Sequence, residues 1–171
     1  ELLANAHHSD MVKMIDDSLP PNAGIVRIHV AGDFFNLPYM HAWYEVAMLN
    51  PSVLFYAYTK SLRYWVGGIN ELPILHNFVL TASYGGTHDH MIDEFNLRSA
   101  KVVFSEAEAA ELGLEIDHDD SHAAKPSLRD QSFALLIHGT QPKGSEASTA
   151  LRELKGKGSY SRKTNSLEVV K

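Results

Sequence analysis

The chain of 171 residues has no cysteine. That excludes a disulfide framework, and it excludes any zinc or iron–sulfur site held by thiolates of this chain. The absence is in keeping with a reducing, cytoplasmic setting. Long apolar runs are missing as well. Nothing approaches the ~20 residues of a membrane span, and the opening residues lack the basic, then apolar pattern of a secretory signal, so no membrane partner is expected. Positive charge is in short supply. Fifteen Lys and Arg stand against 21 Asp and Glu, a net charge of −6, which argues against a body that wraps duplex nucleic acid.

What is present suits a packed protein. Hydrophobic residues make up 44% of the chain, enough for one globular domain with a real core over residues 1–155. The basic charge that exists is concentrated at the end. Lys155, Lys157, Arg162, Lys163 and Lys171 face only Glu168 there, so residues 156–171 read as a flexible basic tail, either a solubilising end or a segment that touches phosphate or nucleic acid. The chain opens at Glu1 instead of methionine, inside an expected helix over residues 2–19, which suggests that an N-terminal piece precedes it.

The stretch Ile25-Val-Arg-Ile-His-Val-Ala-Gly-Asp-Phe-Phe35 organises the rest. It reads as a buried strand over residues 25–30 that runs through Gly32 and Asp33 into a helix capped by Asn36. Arg27 and His29 lie two apart, on one face of that strand, and a buried charge needs partners or a pocket. Further strands are expected over residues 53–59, 77–83, 101–104, 114–117 and 133–138. Helical patterns separate most of them, at residues 36–49, 61–71, 89–97, 105–112 and 144–155. Ser105-Glu-Ala-Glu108 has capping-box spacing; residues 118–131 read as a polar loop. Alternation of this kind gives right-handed βαβ units and a parallel sheet. The fold class is therefore α/β, about six βα units forming either a partial TIM-like barrel or an open sheet with helices outside.

In such a sheet the side chains that follow each strand collect at its carboxyl edge, where ligands bind. Those residues are Asp33, Thr59 with Lys60, Ser83, His88 and His90, Ser105 and Glu106, His118 with Asp119, Asp120 and His122, and His138. Asp33 after Gly32 either caps a turn or receives an amine or hydroxyl. Lys60 either neutralises a ligand anion or sits on the surface. His29 is either a satisfied core histidine or a catalytic one. Gly139 beside His138 would let a planar ligand approach the backbone. Thr87-His-Asp-His90 and Asp117-His-Asp-Asp-Ser-His122 are either solvated loops or ligands for zinc, iron or manganese, through His88, His90, His118, Asp119 and His122. That second possibility would make a metal-dependent hydrolase. A third is a non-catalytic binding protein that acts through its helix faces or tail.

Three blocks of sequence look familiar. Arg27-Ile-His-Val-Ala-Gly-Asp-Phe-Phe35, Leu54-Phe-Tyr-Ala-Tyr-Thr-Lys60 and the C-terminal run through Phe133-Ala-Leu-Leu-Ile-His-Gly139 resemble the "gene product eighty-eight" family of bacteriophage proteins. The resemblance implies a phage protein acting in the cytoplasm of an infected cell. It also implies a barrel similar to that of radical S-adenosylmethionine enzymes, whose iron–sulfur cluster would need cysteines upstream of this chain. On that reading Gly32, Asp33, Thr59, Ser83, His138 and Gly139 would hold S-adenosylmethionine or a similar small charged ligand. Asp33, His29 and Lys60 would carry the catalysis, with Arg27 and His29 supporting Asp33.

Overall fold

A computed structural model describes residues 3–125, 127–128 and 130–160. The chain divides into two compact units, Glu1–Arg98 and Ser99–Lys171. The fold class is α/β, and every strand pairs in parallel within its own unit. Among the described residues no helix is long and apolar enough to cross a membrane.

The first unit begins with a 3-10 turn at Leu3–Asn5, and helix α1 starts only at His8 (His8–Asp17). Strand β1 (Ile25–Arg27) is followed by α2 (Leu37–Leu49), β2 (Leu54–Thr59), α3 (Leu62–Val66), β3 (Phe78–Ser83) and α4 (His90–Glu94). The Asn36 side chain accepts from Tyr39 N at 2.8 Å, and Pro38 fits the first turn, where it forfeits no hydrogen bond. Gly67 and Gly68 cut short the helix expected to reach Glu71, leaving a 3-10 turn at Ile69–Glu71.

Registers Val26↔Phe55↔Phe78 and Ala57↔Leu80 place these apolar side chains on one face of the sheet. That face packs with Met11, Ile15, Met40, Val46 and Ala47 of α1 and α2 into the main core. By the same alternation Arg27, Tyr56, Tyr58, Thr81 and Ser83 share the other face. Strand β1 is half its expected length. Ile28 N still donates to Tyr56 O at 2.9 Å, but His29 has left the ladder and lies in the connection to α2.

In the second unit β4 (Ser99–Val103) leads into α5 (Glu106–Glu111), α6 (Ser121–Ala124), β5 (Phe133–Leu136) and α7 (Glu146–Glu153). Ser105 caps the helix as read, its Oγ accepting from Glu108 N at 3.1 Å, while Glu108 reaches one residue beyond the cap and accepts from Phe104 N at 2.8 Å. The fifth expected strand is reduced to one parallel bridge, Ile116↔Ala134. It stops because the chain turns at once on Asp117, whose carboxylate gathers the amides that follow. Residues 161–171 of the expected tail, with Arg162, Lys163 and Lys171, lie outside the described residues. Its first part is packed rather than free: Ser159 is fully buried and bridges Leu136 N and Asp117 O.

Candidate functional site

In the first unit the ends of three strands are tied together by one carboxylate and one ammonium. Gly32, at φ +85°, turns the chain out of β1 and presents Asp33 to the end of β2. Asp33 Oδ1 accepts from Thr59 Oγ1 at 2.6 Å and from Phe34 N at 2.7 Å, and Oδ2 accepts from Lys60 N at 2.6 Å. Thr59 is 1% exposed, so these bonds work away from bulk water. Both oxygens are engaged inside the protein. The carboxylate thus joins the turn after β1 to the end of β2.

Lys60 makes the next link, to β3. Its Nζ donates to Ser83 Oγ and Tyr84 O, each at 2.7 Å, and more weakly to Ser83 O at 3.3 Å. The side chain as a whole is exposed while its ammonium is lodged among these oxygens. Desolvation lowers its pKa from the ordinary lysine value, opposed by the nearby carboxylates of Asp89 and Asp33. Ser83 accepts from Lys60 and keeps its own hydroxyl proton to donate elsewhere.

These residues wall an open hollow of about 310 Å³, with Arg27, His29, Asp33, Tyr58, Lys60 and Ser83 among its lining. Arg27 places its guanidinium over the Tyr58 ring, 5.1 Å from the centroid, and donates from Nε to His29 O at 3.0 Å. The backbone amides of Ala31 and Gly32, both exposed, donate to no backbone acceptor among the described residues. With Asp33 engaged internally, the hollow offers donors and positive charge.

His29 is wedged edge-on against Phe34, 4.7 Å between ring centroids, and its Nε2 meets Tyr39 OH at 3.3 Å. Its Nδ1 is buried with no partner among the described residues. Burial lowers its pKa, and the Asp33 carboxylate only partly offsets this. The ring is thus held in an aromatic cage by Phe34 and Tyr39. A lowered folded pKa means the unfolded chain takes up the proton first. Stability is then complete above the ordinary value of 6.5 and is lost as pH falls below it towards the folded value. We expect His29→Phe to lose less stability than the wild type between about pH 7.5 and about pH 5.5 in paired urea titrations.

The residues expected to bind a metal do not gather. His88 Nδ1 pairs with Thr87 Oγ1 at 2.9 Å, and its ring lies 6.2 Å from that of His90. Asp89 between them is turned away onto the amides of Gly85 and Gly86. In the second unit Asp119 Oδ1 accepts from Ser121 N at 3.1 Å. His122 lies against Phe133, with Nε2 3.1 Å from Glu115 Oε2 and Nδ1 3.7 Å from Asp117 Oδ2. His118 keeps a buried Nδ1 without a partner among the described residues. Among those residues no group of three or more His, Asp or Glu side chains is placed to hold a metal ion.

His138 also belongs to the second unit. Its Nδ1 donates to Leu136 O at 3.0 Å, and its ring packs edge-on against Tyr160. Gly139 has φ +72°, and a Cβ there would meet nothing within 4 Å. Its backbone angle favours glycine.

Two residues missing from the sequence-based site have central parts. Asp117 is fully buried and takes the amides of Asp119, Ser121 and His122. Asp89 grips Gly85 N at 2.8 Å and Gly86 N at 2.9 Å. The Gly-Gly-x-x-Asp spacing was the one available signal for the second. A larger hollow of about 400 Å³, between Tyr44, Trp65, Leu75, Phe78 and Leu80, holds no titratable pair and continues the apolar core.

No curated protein and no solved structure matches the chain. One family does, over residues 2–155, and its blocks include the β1 turn and the β2 end that build the rim just described: the chain belongs to the Gene product 88 family.

Proposed function

We propose that the hollow at the carboxyl end of β1, β2 and β3 binds a small ligand of nucleoside size that carries an anionic group. The observation that carries this reading is the internal use of Asp33. With both its oxygens taken by Thr59, Lys60 and Phe34, the hollow is left with Lys60, Arg27 and the Ser83 hydroxyl facing a ligand. The 3.3 Å bond from Lys60 to Ser83 O is the weakest of its three and the one most readily exchanged for a ligand oxygen. The volume sits at the lower end of the roughly 300–1,000 Å³ of small-molecule pockets. S-adenosylmethionine falls within this class through its carboxylate. Thiolate-held iron–sulfur chemistry does not fit this chain, which supplies no cysteine.

Calorimetric titration with AMP, adenosine, S-adenosylmethionine and S-adenosylhomocysteine tests the reading. The charged ligands should bind more tightly than adenosine, and Lys60→Met should weaken AMP at least about tenfold while leaving adenosine unchanged. Absence of heat for every ligand at millimolar concentration, or equal affinity for AMP and adenosine, would overturn it.

A further inference from the structure

In sequence Tyr84-Gly85-Gly86 closes the third expected strand and Thr87-His-Asp-His90 is a solvated or metal-binding loop, and neither reading gives Asp89 and the glycines a part beside Lys60. The contacts give them one. Asp89 accepts Gly85 N at Oδ2 and Gly86 N at Oδ1, a two-toothed grip that fixes the turn. Gly85 has φ +94°, a conformation that a side chain resists. The turn so held presents Tyr84 O to Lys60 Nζ at 2.7 Å. Gly86 closes on the lysine stem: a Cβ there would lie 3.1 Å from Lys60 Cβ and 3.3 Å from Asp89 Oδ1. Lys60 is therefore seated by backbone, held along its stem, and faced by a carboxylate one turn away.

We infer that Asp89 is a positioning residue for the anion site, holding the 84–86 turn so that Lys60 stays aimed into the hollow. This rests on the ligand reading above and adds a part that lies outside the ligand's reach. Three charged side chains set the ammonium's surroundings: Asp33 from the turn before α2, Asp89 from the turn before α4, and Arg27 on β1, which lines the same hollow. The two carboxylates favour the charged ammonium and burial disfavours it. Removing Asp89 takes away one of the two supports and frees the turn at the same time.

Two readouts test this, and one needs no ligand. The pH dependence of Lys60 acylation by an N-hydroxysuccinimide ester, followed by peptide mass spectrometry, reports the titration of that amine directly. Its midpoint should move to lower pH in Asp89→Asn, which keeps one oxygen for the turn but loses the charge. In Gly86→Ala, which displaces the stem without changing charge, the midpoint should move far less. AMP binding should weaken about tenfold in Asp89→Ala and be largely restored in Asp89→Glu. An acylation midpoint in Asp89→Asn equal to that of the wild type would overturn the inference, as would unaltered AMP affinity in Asp89→Ala. Failure of the wild type to bind AMP would fall on the ligand reading alone, and the acylation midpoint would still decide the part played by Asp89.

Discussion

Asp117→Ala should lower the stability of the Ser99–Lys171 unit by about 4 kcal/mol, the cost of orphaning several buried donors around a deleted charge. Asp117 has no exposed surface. Its Oδ1 takes the amides of Asp119 and Ser121 at 3.2 and 3.1 Å, and its Oδ2 takes that of His122 at 3.1 Å. Its own carbonyl receives Ser159, which also accepts from Leu136 of β5. One residue thus joins the chain leaving the Ile116 bridge, the start of α6 and the segment that closes over β5. Alanine leaves the amides of Asp119 and His122 without that carboxylate, while Ser121 N keeps Asp119 Oδ1 at 3.1 Å. Asparagine keeps one acceptor and should cost about half as much. Both tryptophans, Trp43 and Trp65, lie in the first unit and will not report the change. Hydrogen exchange at the amides of Phe133–Leu136 will. Exchange that stays as slow in Asp117→Ala as in the wild type would refute this account of the second unit.

The corresponding substitution in the first unit is Asp33→Ala, for which we expect a loss of about 3 kcal/mol. Three donors, Thr59 Oγ1, Lys60 N and Phe34 N, lose their acceptor together. Solvent reaches Asp33 more readily than Asp117, which is why the expected cost is smaller. Asp33→Asn discriminates the cause. Its carbonyl can still serve Thr59 and Phe34, but its amide then opposes the Lys60 N–H, donor against donor. Most of the destabilisation should therefore persist, at about 2 kcal/mol. Tryptophan fluorescence in urea follows this unit directly. Wild-type stability in Asp33→Asn would show that the carboxylate is not the tie between strand ends.

Much of the architecture could be read from residues because local rules decided it. Strands β2 and β3 are aromatic and β-branched runs ended by a lysine and by a Gly-Gly turn, and they fall within a residue of the expected bounds. The caps at Asn36 and Ser105 need only their own helices, and both form. Departures come where a distant group intervenes. Strand β1 ends early because His29 is drawn into the Phe34–Tyr39 cage instead of the ladder. The fifth expected strand ends after one bridge because Asp117 pulls the following turn onto itself.

The candidate site follows the same division. That Asp33, Thr59, Lys60 and Ser83 come together follows from parallel strands, and they do. What they do to each other depends on contacts across more than twenty residues of chain, which no spacing rule contains. A carboxylate beside an open hollow looks available in sequence. Only its three donors reveal that it also ties strand ends together. The histidine loops mislead for a related reason: Asp89 and Asp119, the carboxylates that would complete a metal set, are engaged by nearby backbone amides.

Amide chemical-shift mapping of the labelled chain titrated with AMP tests the central claim most directly. An anion site at the strand ends predicts shifts concentrated at residues 30–33, at Lys60 and at residues 83–86, growing saturably with ligand. Shifts centred elsewhere in the chain, or no saturable shift at those amides, would contradict it.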